Sequence, residues 1–145
     1  MNPEALFSIC NLVAMPGWLL LIFAPRWKWT ARLVVSGVVS LLLAAVYLVL
    51  IVTTLGKADG GFGSLAQVAQ LFRHDWVLLA GWVHYLAFDL FVGSWEVSDA
   101  QKLKINHLLV IPCLLLTFLL GPIGFMAYHL VSLKARRTQP DGGLQ

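Results

Sequence analysis

Two readily ionised side chains, His84 and Asp89, sit inside WVHYLAFDLFVGSW at 82–95, a run otherwise fit for hydrocarbon. Charge is costly inside a bilayer, so function is the default hypothesis for both. Wound as a helix, at about 100° and 1.5 Å per residue, the run brings Trp82, Tyr85, Asp89 and Glu96 near one stripe. Tyr85 and Asp89, at i and i+4, share a face. His84 and Asp89 are five positions apart, which puts them about 140° around the axis and roughly 7 Å along it. They are not a natural same-face pair.

The chemistry these residue types allow is acid–base chemistry. An unpaired carboxyl in a dry core favours its neutral form, so Asp89 is a candidate proton donor or a holder of a polar head group. His84 is a candidate base. His107, just inside the next apolar run, approaches the side where Asp89 lies and is expected to pair with it. Asp89, His84 and His107 are therefore the candidate catalytic residues. Asn11, at the depth of His84, joins Trp82, Tyr85 and Glu96 as candidate substrate-binding residues. The plainer alternative is structural: an aspartate holding helices together and a histidine hydrogen-bonding across them. His84, His107 and His129 lack H-x-x-x-H or E-x-x-H spacing, so no metal site is expected. No phosphate-cradling loop, nucleophile elbow or haem-attachment motif is present, and the sequence identifies no cofactor.

Elements long enough to position these groups are written in the hydropathy. Of 145 residues, 59% are hydrophobic and 12% charged, with a mean hydropathy of +0.82. Four apolar runs, about Ala5–Ala24, Leu33–Leu55, Trp76–Trp95 and Ile105–Leu133, reach the roughly 20 residues that span a bilayer as helix. The alternation of a membrane barrel is absent. The expected fold is all-α, a polytopic bundle of four transmembrane helices. One domain covers 1–135, and a polar, disordered tail covers 136–145. Asn2, Pro3 and Glu4 suit a retained helix start rather than a cleaved signal. Ser98 and Gln101 fit a capping box and are expected to begin the fourth helix, which Pro112 and GPIG at 121–124 then bend. Tyr128 and His129 then belong at the far end, near Glu4 and Asn11. A short amphipathic helix is expected around Leu65–Phe72. Ser36, Ser40 and Ala44 make a small-residue stripe for close helix packing.

The net charge of +3 does not indicate nucleic acid, because the basic residues flank apolar spans and suit headgroup contact. PRWKWTAR and EVSDAQKLK should lie on one side. With four spans, the ten basic residues divide five and five between the two sides, so charge gives no orientation. Cys10 and Cys113 read as small buried hydrophobes.

Three segments carry a family resemblance: NPEALFSICNLVAMPGWLLLIFAPR at 2–26, WVHYLAFDLFVGSW, and HLLVIPCLLLTFLLGPIGFMAYHL at 107–130. Together they resemble the abscisic-acid-deficient-four-like family, small four-helix membrane proteins of plants and bacteria, over about residues 2–133. Plant members are associated with making neoxanthin from violaxanthin. The resemblance implies an apolar carotenoid-like ligand and an isomerisation in which an epoxide opens while a proton leaves a neighbouring carbon. Asp89 or His107 would serve as acid and His84 as base; no family assignment is carried over. Oxidative cleavage by a histidine-held metal, and pigment or lipid binding without turnover, are the alternatives. A transporter fits less well, because no inverted repeat is visible. The short tail and the lack of a transit peptide suggest a bacterial member in the inner membrane, in contact with membrane lipid and self-associating.

Overall fold

The computed structural model describes residues 2–54 and 56–138, and all of its regular elements are helical. Helix α1 spans Pro3–Phe23. Its start is built as the sequence implies: the Asn2 side chain accepts from the Ala5 amide at 2.8 Å, and Pro3 and Glu4 fill the first turn. At 21 residues it is about 31 Å long, enough to cross a hydrocarbon core.

The second rod opens with a π-helical turn, Thr30–Val35, marked by a bond of 3.0 Å from the Ser36 amide to the Ala31 carbonyl five residues back. It pivots at Gly37, whose φ of +83° favours glycine, and continues as α2, Val38–Thr54. Of the expected small-residue stripe, only Ser40 is buried. The short helix α3 covers Leu65–Leu71, capped by Ser64.

Helix α4, Asp75–Lys102, is the central element and runs further than the sequence suggested. The S-x-x-Q pattern at Ser98 lies inside it and starts nothing. Gln101 instead donates from Nε2 to the Pro25 carbonyl at 2.9 Å. The stop comes at Lys104, where the Ile105 amide reaches back to the Ala100 carbonyl at 2.9 Å. Lys104, at φ 52°, is the one non-glycine residue with positive φ among the described residues.

By length and composition three helices can cross a membrane: Pro3–Phe23, Thr30–Thr54 and Asp75–Lys102. The expected fourth span, Ile105–Leu133, is not one helix. Asn106 caps α5, His107–Leu120, and after Gly121 the chain enters α6, Pro122–Thr138. The break is a reversal rather than a bend. A Cβ on Gly124 would overlap the Thr117 backbone nitrogen. In a straight helix residues seven apart lie about 10 Å apart along the axis. The end of α6 also returns to where α5 began, since Ile105, Leu109, Val131 and Ala135 line one groove. Thus α5 and α6 form a hairpin whose tip, Gly121, stops beside the middle of α4. The expected tail from 136 begins inside α6, and residues 139–145 lie outside the described residues.

The hairpin overturns the far-end placement of Tyr128. Its hydroxyl donates to Asp99 Oδ2 at 2.8 Å, and Arg136 pairs with the same carboxylate at 2.9 Å. PRWKWTAR, the α4–α5 turn and the end of α6 therefore share one end of the molecule. Trp18, Leu21, Leu90, Val97, Val110, Leu114 and Tyr128 pack a core at that end. Cys10, Ala14, Leu43, Leu50, Leu79 and Val83 pack a second one toward the other. The outer surface is apolar as well, with Leu12 at 73%, Phe23 at 78% and Leu108 at 72% exposure. Water does not tolerate so much contiguous apolar surface, but lipid does.

Candidate functional site

The hairpin covers only half the length of α1 and α4. Where it ends, a cavity of about 980 Å³ opens toward the connector side. Pro3, Glu4 and Phe7 of α1 form one wall, Asp75, Trp82 and Tyr85 of α4 another, and Phe72 closes the edge. The size and the mostly aromatic and aliphatic lining, with a few polar groups, are those of a small-molecule site.

Aromatic contacts set the wall. Trp82 lies 5.4 Å from Phe7 and 5.5 Å from Tyr85, centroid to centroid. The Trp82 indole N–H donates to Asn11 Oδ1 at 3.3 Å, and Asn11 Nδ2 donates to the Phe7 carbonyl at 2.7 Å. Asn11 thus orients Trp82 rather than lining the cavity itself. His84 borders the cavity while stacking on Phe88 at 4.9 Å and approaching Tyr47 at 5.2 Å.

The floor is where the hairpin tip meets α4. The last carbonyls of a helix lack intrahelical partners, and in lipid they must find others. The Tyr85 hydroxyl supplies one, donating to the Phe118 carbonyl at 2.7 Å. Beside it Asp89 faces the turn: a Cβ on Gly121 would sit 3.1 Å from Asp89 Oδ1. Gly121 has φ 50° and so tolerates a turn that a larger residue would strain. Asp89 thus lies at the start of α6, where the helix dipole favours negative charge. Its Oδ2 is buried with no hydrogen-bond partner among the described residues. Tyr85 both lines the cavity and neighbours the Asp89 carboxyl, so it is the link between them.

Further along the same stripe, Glu96 is fully buried and accepts from Thr117 Oγ1 at 2.9 Å. It holds α5 against α4 and does not border the cavity. Nor does His107, whose Nε2 lies 2.9 Å from the Ile22 carbonyl at the opposite end. The expected Asp89–His107 pair is absent because His107 is tied to α1. The sequence-derived candidates therefore divide: Trp82, Tyr85 and His84 border the cavity, Asn11 and Asp89 stand just behind its wall and floor, and Glu96 and His107 lie elsewhere. Sequence reasoning missed Glu4, Asp75, Phe7 and Phe72, which only the packing of α1 against α4 brings together. It also missed the role of Gly121, although G-P has the residues that end one helix and start the next. Among the described residues no three His, Cys, Asp or Glu converge as metal ligands.

Comparison with known proteins agrees with this picture of an apolar helical protein. Residues 5–128 match the family model described as ABA DEFICIENT 4-like. The Arabidopsis thaliana protein "ABA DEFICIENT 4, chloroplastic" is 24% identical over 133 residues, covering 86% of this chain and 59% of its own length. The chain thus spans about three fifths of the curated relative it matches. That relative is chloroplastic, and nothing in the comparisons supports the bacterial inner membrane expected from the tail. No solved structure matches.

Proposed function

Since the chain belongs to the ABA DEFICIENT 4-like family, we propose that it binds a carotenoid or related isoprenoid lipid and isomerises it by acid–base chemistry. The observation that supports this is the aromatic cavity whose floor is Tyr85, backed by Asp89. An elongated apolar chain fits between Phe7, Phe72 and Trp82, and one polar end group reaches Tyr85. In the epoxide-opening reaction, a base removes a proton from carbon, the carbon–oxygen bond breaks, and an acid protonates the departing oxygen. Atoms balance without any co-reactant. Asp89 is the proton store behind Tyr85, and His84 at the cavity border is the base.

The test expresses the wild type and Asp89→Asn in hosts making defined carotenoids and separates the extracts by chromatography with mass detection. An isomerase gives a new peak at unchanged mass. Loss of a general acid costs about 10²–10⁴-fold in rate, so the well-expressed variant should lose the peak. Two lighter fragments would instead indicate oxidative cleavage. Identical profiles for wild type and variant across several carotenoids would sink the isomerase. A second reading, pigment binding without turnover, is favoured by one detail: the Asp89 carboxyl packs on Gly121 rather than facing the cavity. It predicts co-purifying pigment and no new peak.

A further inference from the structure

The hairpin changes the charge map of the molecule. With a fourth crossing, the basic residues would be shared evenly between the two ends. Because α6 returns, Lys134, Arg136 and Arg137 join Arg26, Lys28, Arg32, Lys102 and Lys104 at one end. Eight of the ten basic residues in the sequence then lie there, and all eight are exposed. Among the described residues the one carboxylate at that surface, Asp99, is paired with Arg136. The cavity end carries only Lys57 and Arg73, against exposed Glu4, Asp59 and Asp75.

Short flanking segments rich in Lys and Arg stay on the side of the membrane from which a chain is inserted, and they are attracted to the anionic headgroups of that leaflet. The basic end also has a place for a headgroup. A groove of about 470 Å³ between the start of α5 and the end of α6 is bordered by Lys104, Asn106 and Lys134 above Leu109 and Val131. Cations over an apolar cleft suit an anionic lipid, with its phosphate at Lys104 and its chains along Leu109 and Val131. Lys104 occupies a left-handed backbone position where glycine is usual.

We propose that the basic end is a docking surface for anionic lipid headgroups that fixes this end on the insertion side, so that the cavity opens on the opposite, translocated side. The inference does not depend on whether the cavity is catalytic. Both native cysteines are buried, so single introduced cysteines report topology. Lys28→Cys, Arg137→Cys and Asp59→Cys would be expressed in intact cells and probed with a membrane-impermeant maleimide, before and after vesicle inversion. The expected result is that Asp59→Cys labels from outside, and that Lys28→Cys and Arg137→Cys label only after inversion. Labelling of Arg137→Cys together with Asp59→Cys would mean that α6 crosses, which restores the even charge division and removes the argument. Outside labelling of Lys28→Cys, alone or alongside Asp59→Cys, would overturn the fixed orientation. Substituting Gln at Lys104 and Lys134 in the Asp59→Cys chain should raise the inverted fraction severalfold. An unchanged fraction would show that the groove does not seat the headgroups that set orientation.

Discussion

At the residue scale, the interior of this protein is organised by what α4 offers to the hairpin. Tyr85 caps the Phe118 carbonyl, Glu96 takes the Thr117 hydroxyl, and Asp99 takes Tyr128 and Arg136. These bonds differ in value. Arg136 is half exposed, so its ion pair is worth little. The Glu96–Thr117 bond is buried, and removing its donor leaves a carboxyl oxygen stranded. Thr117→Val should therefore destabilise by about 1–3 kcal/mol, whereas Arg136→Gln should cost under about 1 kcal/mol. Denaturation in mild detergent compares the two, and equal costs would contradict this ranking. Tyr85→Phe strands the Phe118 carbonyl, with a similar expected loss of about 1–3 kcal/mol. If Tyr85 also links Asp89 to the cavity, that variant loses product beyond what its remaining folded fraction explains. Of these groups the sequence singled out Tyr85, Asp89 and Glu96, because a 3-4-7 spacing on an apolar helix is visible in one dimension. It left Thr117 unmarked, since a threonine in an apolar helix is ordinary until a carboxylate is placed against it.

At the element scale, the hairpin rests on two glycines with different duties. Gly121 supplies the turn, and Gly124 supplies the close approach, having no room for a Cβ against the Thr117 backbone. Gly124→Ala should force the two helices apart and cost about 3 kcal/mol or more, at the upper end of overpacking penalties. Cross-linking of Leu109→Cys to Val131→Cys reads the result directly. It should form in the parent protein and fail in the Gly124→Ala chain; efficient cross-linking in both would mean the glycine is not needed. The first helix, the connector helix and the central helix were legible because caps, prolines and unbroken apolar runs declare themselves locally. The reversal was not. A proline after glycine in an apolar run reads equally as a bend or a stop, and the deciding contact is between residues that only folding brings together. The end of α4 was misplaced for a related reason. Its stop uses Lys104 in a position where glycine would have given the signal, while a chance capping pattern lay inside the helix.

At the scale of the whole molecule, the two ends are built differently. Hydrogen bonds to α4 close the basic end, while the other end keeps a large cavity walled by side chains alone. A ligand there should add stability. At a hundredfold its Kd, a bound xanthophyll would contribute about 2.7 kcal/mol and raise Tm accordingly. Filling the cavity with Leu78→Trp should abolish the shift and leave the ligand-free Tm nearly unchanged, because Leu78 lines the space and is half exposed. No Tm shift in the parent protein across several xanthophylls would count against a carotenoid ligand. The half-length hairpin has a further consequence, which concerns the birth of the chain. The central helix leaves the ribosome before the hairpin does, carrying Glu96 and Asp99 before their partners Thr117, Tyr128 and Arg136 are made, and Asp89 before Gly121 covers it. Bare carboxyls are poor company for lipid, so α4 is covered only once the segment from His107 onward arrives. Insertion is therefore completed from the C-terminal side. A nascent chain cut short after Lys104 would expose its acidic stripe to the bilayer, which is the kind of lesion that membrane quality control removes.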